Sequence, residues 1–206
     1  MTSISIIGSG KMSGAIAEVA ARAGAGIQII KRSATSTSAA RPGLEYGVMG
    51  DELTGDLVVL AVPYGAYEGI LEHYRDQLSE KVVIDISNPI DFSTYDRLRS
   101  PADSSTAAEL AKLLPEGSAV VKAFNVNLGD TLVSGTNGTT RTTVLYAGDY
   151  ADAKMSVAAL IEAAGMRAVD VGPLTRAREL EAMGFLQIIM AALGRTRYES
   201  GFTLLE

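Results

Sequence analysis

The 206-residue sequence has no cysteine, no tryptophan and one histidine, His73. Without cysteine there are no disulfides, thiol nucleophiles, iron–sulfur clusters or cysteine-ligated zinc. With one imidazole a multi-histidine metal site cannot be assembled, and a Ser-His-Asp triad would have to be built on His73. No metal is therefore expected. Long apolar runs are also missing: none approaches the roughly 20 residues that a membrane helix needs. The stretch Met1-Thr2-Ser3-Ile4-Ser5-Ile6-Ile7-Gly8 lacks a basic region followed by a long apolar segment, so no signal peptide is expected. The expectation is a cytoplasmic chain without a membrane partner. Basic residues are in deficit, 18 Lys and Arg against 24 Asp and Glu. A net charge of −6 argues against a nucleic-acid partner, although local basic clusters can still hold a small anion.

Hydrophobic residues make up 47% and charged residues 20% of the chain, enough for one substantial core. Short β-branched runs alternate with Ala-rich segments of helical spacing. Strands are expected over 3–7, 27–30, 57–62, 82–86, 119–124, 142–147 and 167–171. Helices are expected over 11–23, 67–78 and 175–193. Two more are placed by their caps: Thr106-x-x-Glu109 reads as a capping box, with Pro115 as the stop, and Asp149 as the N-cap of a helix to 164. Residues 88–104 and the Ser/Thr/Ala stretch 33–40 read as loops. The glycine-rich stretch 125–138 has no clear assignment. The pattern predicts an α/β fold, a Rossmann-like doubly wound, mostly parallel sheet. It is read as one domain over 1–206, with 175–206 as a small C-terminal helical lobe.

The strongest local signal is Gly8-Ser9-Gly10-Lys11-Met12-Ser13-Gly14, between the first strand and the first helix. There a chain must turn sharply, and a pyrophosphate must approach bare amides at a helix N-terminus. Gly8 suits the turn and Gly10 removes a blocking side chain. Ser13 stands where the third glycine of G-x-G-x-x-G is usual. The bland alternative is an ordinary strand–helix turn rich in small residues, but the strand-before, helix-after context is the one the fingerprint requires. A magnesium-nucleotide P-loop is excluded, since Met12 follows Lys11 where Ser or Thr is needed. At the end of the second strand an NAD site carries Asp or Glu. Here the segment is Lys31-Arg32-Ser33, with no acidic residue between Gly26 and Glu45. Those three residues would supply charge and donors to a 2′-phosphate, pointing to NADP. A solvated basic turn is the competing reading.

Ligands in open α/β sheets bind beyond the carboxyl ends of strands. Val62 and Pro63 lie there, as do Ser87, Asn88 and Asn125. Ser87 and Asn88 either bond to ribose or the nicotinamide amide, or simply cap strands. Asn125 is the candidate for positioning nicotinamide or a second substrate. His73, beside Glu72 and Arg75, reads as surface. Asp85 reads as strand-end structure, with general base as the alternative. Met183 and Met190 read as core or dimer packing.

These residues resemble the coenzyme F420-dependent NADP oxidoreductase family over nearly the whole chain. The resemblance rests on Ile7-Gly8-Ser9-Gly10-Lys11-Met12, the Arg32/Ser33 turn, Ala61-Val62-Pro63-Tyr64 and Thr106-Ala107-Ala108-Glu109. It continues through Val121-Lys122-Ala123-Phe124-Asn125, Gly148-Asp149 and Asp170-Val171-Gly172-Pro173-Leu174, with Arg178 and Glu181 following. It implies that Ser9, Gly10, Lys11 and Met12 hold the pyrophosphate and that Arg32 and Ser33 hold the 2′-phosphate. Val62, Pro63 and Ala123 would line the nicotinamide pocket. It also implies a homodimer, and hydride passed directly between NADP(H) and coenzyme F420 or a similar planar acceptor. Such a transfer needs stacking and a short distance more than an acid or base, so no proton-transfer residue is nominated. Asn125 stands where the deazaflavin-handling members carry histidine. The other readings kept open are NADPH-dependent reduction of another small, imine-like substrate and a non-catalytic NADP-sensing module.

Overall fold

Alternate side chains of a strand point to opposite faces, so a strand apolar at every position must be covered on both sides. That is how the apolar runs are used. A computed structural model of the chain describes residues 2–33 and 42–204. Its strands are β1 (Ser3–Ile7), β2 (Gly26–Lys31), β3 (Leu44–Val48), β4 (Leu57–Leu60), β5 (Val82–Asp85), β6 (Ala119–Ala123), β7 (Thr136–Asn137), β8 (Thr140–Arg141), β9 (Thr143–Gly148) and β10 (Arg167–Asp170). Its α-helices are α1 (Lys11–Arg22), α2 (Tyr67–Tyr74), α3 (Thr106–Leu113), α4 (Gly129–Ser134), α5 (Ala151–Ala163) and α6 (Ala177–Ala192).

Eight strands form one sheet in the order β10-β9-β6-β5-β4-β1-β2-β3, with β7 and β8 a separate antiparallel pair. Strands β1 to β6 run parallel, in the order 3-2-1-4-5-6 that dinucleotide-binding doubly wound sheets adopt. Strand β9 pairs antiparallel with β6, Val121 opposite Gly148, and β10 lies parallel to β9. The sheet is thus mostly parallel, with the last two strands reversed. The alternation sorts the core. Ile4, Ile6, Leu57 and Val59 pack with Ile16 and Val19 of α1 and Val157 and Ile161 of α5. Ile7, Val58 and Leu60 pack with Ile70 and Tyr74 of α2 and Ala107 and Leu110 of α3. Each fully buried aliphatic side chain of this kind contributes about 1.5–3 kcal/mol.

Four local expectations change. Strand β3 has no counterpart in the sequence reading, and neither does α4 within the unassigned glycine-rich stretch. The cap of α3 is Ser105, whose side chain accepts from the Ala108 amide at 3.1 Å. Thr106 is instead the first helical residue, and its hydroxyl turns into the core. Asp149 does not cap α5: the cap position is Tyr150, and Asp149 Oδ1 accepts from the Leu174 amide at 2.8 Å. The expected loop over 33–40 lies, apart from Ser33, outside the described residues. The 88–104 loop is held by buried Asp91, which accepts from Ser93 and pairs with Arg97 and Arg99. No described helix is long and apolar enough to cross a membrane.

Candidate functional site

The site begins where β1 stops. Gly8 has φ +131°, and a Cβ there would run into the Ala61 carbonyl oxygen of the neighbouring strand end. Only glycine turns the chain at this point. Gly10 caps α1 in an extended conformation, with no side-chain bond to the helix amides and no acidic residue in the first turn. Among the described residues, none but its chain neighbours places a heavy atom within 4 Å of the position a Gly10 Cβ would take. The α1 amides therefore have no side-chain cap and no acidic residue in their own first turn, which suits an anion. Ser13, where a third glycine is usual, is buried and donates its hydroxyl to Gly8 O at 2.7 Å. The departure thus ties the turn together.

A cleft of about 630 Å³ opens beside this turn. It is lined by Gly8, Ser9 and Gly10 of the turn, Arg32 and Ser33 past β2, and Val62 and Pro63 beyond β4. His73 lies exposed on α2, as the sequence suggests, and also lines this cleft. Lys31 does not line it: its ammonium sits 4.3 Å from the centre of the Tyr46 ring on β3. A second cleft, of about 210 Å³, is lined by the residues that follow the turn. Lys11 and Met12 of α1, Asn88 and Asn125 beyond the ends of β5 and β6, and Gly184 of α6 line it. Lys11 pairs with Asp130 at 2.9 Å, and its ammonium is 5.8 Å from the Tyr198 ring centre.

Besides Lys31, two nominated residues reach neither cleft. The Ser87 amide donates to Asp85 Oδ1 at 2.7 Å, and its hydroxyl pairs with that of Thr106 at 2.9 Å. Ala123 is fully buried in the core between the sheet and the α1 side. Asn88 and Asn125 clamp each other instead of simply capping strands. Asn88 Nδ2 donates to Asn125 O at 2.7 Å, and Asn125 Nδ2 donates to Asn88 Oδ1 at 2.9 Å. The clamp is aimed by Phe124, fully buried with φ +62°. A bulky residue in that left-handed conformation is a strained one that its surroundings must enforce.

Under the clamp lies a group of charges that the sequence reading missed. Lys122 is fully buried, and the parallel register places it beside Asp85 on the same face of the sheet. Its ammonium donates to Asp85 Oδ2 at 3.1 Å, Glu181 Oε1 at 3.0 Å, Thr106 Oγ1 at 3.2 Å and Ser87 O at 2.6 Å. Tyr67 donates to Asp85 Oδ1 at 2.5 Å, and Thr106 binds Glu181 through both hydroxyl and amide. Asp85 is thus structural, as its position at a strand end suggested. The available signal was a lysine inside an otherwise apolar strand, one that must be paired if buried. Burial pushes the Tyr67 phenol well up, and the neighbouring Asp85 carboxylate adds to the shift. Burial alone would raise the Asp85 carboxyl, but Lys122, Tyr67 and Ser87 together hold it below its ordinary value. Its contribution to stability is therefore fully present above about pH 4 and is lost as pH falls through the lowered value. Urea midpoints at pH 6 and pH 3 are expected to show a smaller acid loss in Asp85→Asn than in the unmodified protein. Equal losses would remove Asp85 from the acid response.

An uncapped glycine turn at the crevice of a 3-2-1-4-5-6 sheet defines a dinucleotide-binding domain. Residues 3–89 match the family described as NADP oxidoreductase, coenzyme F420-dependent. It is 31% identical over 150 residues to an F420-dependent NADP reductase of Methanocaldococcus jannaschii, covering 68% of this chain and 66% of that protein. It is 30% identical over 181 residues to the metalloreductase STEAP3 of Rattus norvegicus, covering 87% of this chain and 36% of that one. The chain thus matches about a third of the one relative and just under two thirds of the other. A crystal structure from Arthrobacter sp. FB24, with a provisional F420-dependent NADP-reductase name, superposes with a TM-score of 0.85 at 25% identity. That match covers 98% of this chain and 99% of the other.

Proposed function

We propose that the chain passes hydride between NADP(H), lying across the larger cleft, and a planar acceptor of the coenzyme F420 kind in the smaller one. The observation that carries this reading is that successive residues of one segment line two clefts, Gly8, Ser9 and Gly10 the larger and Lys11 and Met12 the smaller. The fit to the cofactor rests on the chain's own groups. The open amides at Gly10 and the start of α1 receive a pyrophosphate. Arg32 and Ser33 receive the 2′-phosphate, and among the described residues no carboxylate lines that cleft to repel it. Val62 and Pro63 offer an apolar wall to the nicotinamide. When bound, NADP(H) supplies the hydride chemistry itself. Lys11 and Tyr198 are the titratable groups lining the smaller cleft, which suits a transfer governed by proximity more than by a strong base.

The 210 Å³ of the smaller cleft supports a second reading, reduction of a more compact imine-like substrate by NADPH. An open cleft beside the cofactor crevice favours either enzyme over a non-catalytic sensor. Leu186 on helix α6 and Leu193 at its C-terminal cap are exposed, which supports a homodimer joined through this helix. The test is to mix the protein with NADPH and oxidised coenzyme F420 and follow NADPH absorbance. NADPH is expected to disappear only when both are present. No consumption at high protein concentration would overturn the F420 reading, and consumption with a cyclic imine instead would establish the second.

A further inference from the structure

The single imidazole of the chain, His73, lines the larger cleft. It stands in the last turn of α2, where the carbonyl end of the helix favours a cation. Gly69, one turn earlier, lines the cleft too. Apart from its chain neighbours and the helix's own backbone, no described residue places a heavy atom within 4 Å of the position a Gly69 Cβ would take. A helical side chain leans back over the preceding turn, so the imidazole has open space on the side toward which it leans. Among the described residues no hydrogen bond or ion pair engages its ring nitrogens.

Among the described residues, Arg32 and His73 are the side chains that can bring charge to this cleft. Arginine keeps its charge throughout, whereas imidazole changes charge between about pH 5 and 8. The other charged groups around His73 do not line the cleft. Glu68, Glu72 and Arg75 belong to α2 and its cap, and Asp76 follows. The connection from β3 to β4 packs on α2, the Gly50 amide donating to Tyr74 Oη at 2.7 Å. Its Asp51 accepts from the Val48 amide at 2.8 Å, and its Glu52 is exposed. At the end of β2, Lys31 is turned onto Tyr46. NADP differs from NAD by one 2′-phosphate, close to a dianion at neutral pH. A proton on His73 therefore adds to the attraction for NADP and leaves the rest of the two cofactors on equal terms. We propose that His73 sets a proton-dependent preference for NADP over NAD, its imidazolium joining Arg32 at the 2′-phosphate. This rests on the NADP(H) reading of the larger cleft. Arg32 supplies a preference at every pH. His73 strengthens it where the ring is charged, and the added part is lost as pH rises.

Calorimetric titration of the whole chain with NADP+ and NAD+, at about pH 8 and about pH 6.5, reads the ratio of the two affinities across the imidazole range. The oxidised cofactors are used because they withstand acid. The ratio is expected to rise about threefold toward the lower pH, the size of an exposed charge pair, and to rise less in added salt. In His73→Gln it is expected to stay level or fall, since the phosphate itself takes up a proton near pH 6. In His73→Lys, whose charge is permanent over this range, it is expected to be high at both pH values. A ratio that is flat in the unmodified protein, or that rises equally in His73→Gln, would overturn the inference. So would a His73→Gln variant that weakens both cofactors alike at an unchanged ratio, the mark of a ring stacked on adenine. A flat ratio with NADP+ binding that Arg32→Ala still weakens would sink this inference alone. No NADP+ binding at either pH would sink the larger-cleft reading with it.

Discussion

Lys122→Met is expected to lower folding stability by about 3–5 kcal/mol, read as a fall in the urea midpoint at unchanged slope. Methionine fills much of the lysine volume, so the loss is not that of a cavity. It comes from what remains: Asp85 and Glu181, both fully buried, would face each other without the cation that now lies within 3.1 Å of each. Ser87 O and Thr106 Oγ1 would lose a donor as well. Removing one partner of a buried ion pair strands the other charge in a medium that solvates it poorly, and this outweighs what the pair contributed when intact. The same reasoning predicts that neutralising all three, as Lys122→Met, Asp85→Asn and Glu181→Gln together, recovers part of the loss. Lys112→Met, which breaks an exposed pair with Glu109, is expected to leave the midpoint unchanged. A Lys122→Met midpoint close to that of the unmodified protein would show that the carboxylates find other partners.

What could be read from the sequence was what neighbouring residues encode. The β1 run, Gly8 and Gly10, and the helical spacing after them lie within some twenty residues, and their order alone locates the crevice. Strand β3 was missed because Leu44-Glu45-Tyr46-Gly47-Val48 is a partly exposed edge strand with a glycine in it, so neither alternation nor a continuous apolar run marks it. At Lys31 and Arg32 the charge was legible but not its direction. Lys31 closes β2 and lies over Tyr46, whereas Arg32, one residue past the strand, reaches the cleft. The remainder depends on pairs far apart in the chain. Ser87 finds Thr106 19 residues away, Asn88 finds Asn125 37 away, and Lys122 finds Glu181 59 away. No local pattern records which buried polar group meets which. The composition shows that such groups exist, and the fold decides their partners.

Arg32→Ala is expected to weaken NADPH by roughly 10- to 150-fold, about 1.5–3 kcal/mol, while leaving NADH affinity nearly unchanged. The selectivity is the informative part. The two cofactors differ by one phosphate, so a side chain that contacts that phosphate changes one affinity and spares the other. Arg32 is exposed at the mouth of the cleft, so added salt should shrink the difference and bring it toward the lower figure. Lys31→Ala serves as the comparison. Its ammonium is turned onto Tyr46, so its loss should cost less NADPH affinity than the loss of Arg32, although the two residues are adjacent and equally charged. Fluorescence titrations with each cofactor at two salt concentrations would measure all of this. Equal weakening of NADH and NADPH would make Arg32 a support of the turn rather than a phosphate ligand. Unchanged NADPH binding would move the phosphate away from the β2 end, and the preference for NADP would then have to be sought in Ser33 or His73, which share that cleft.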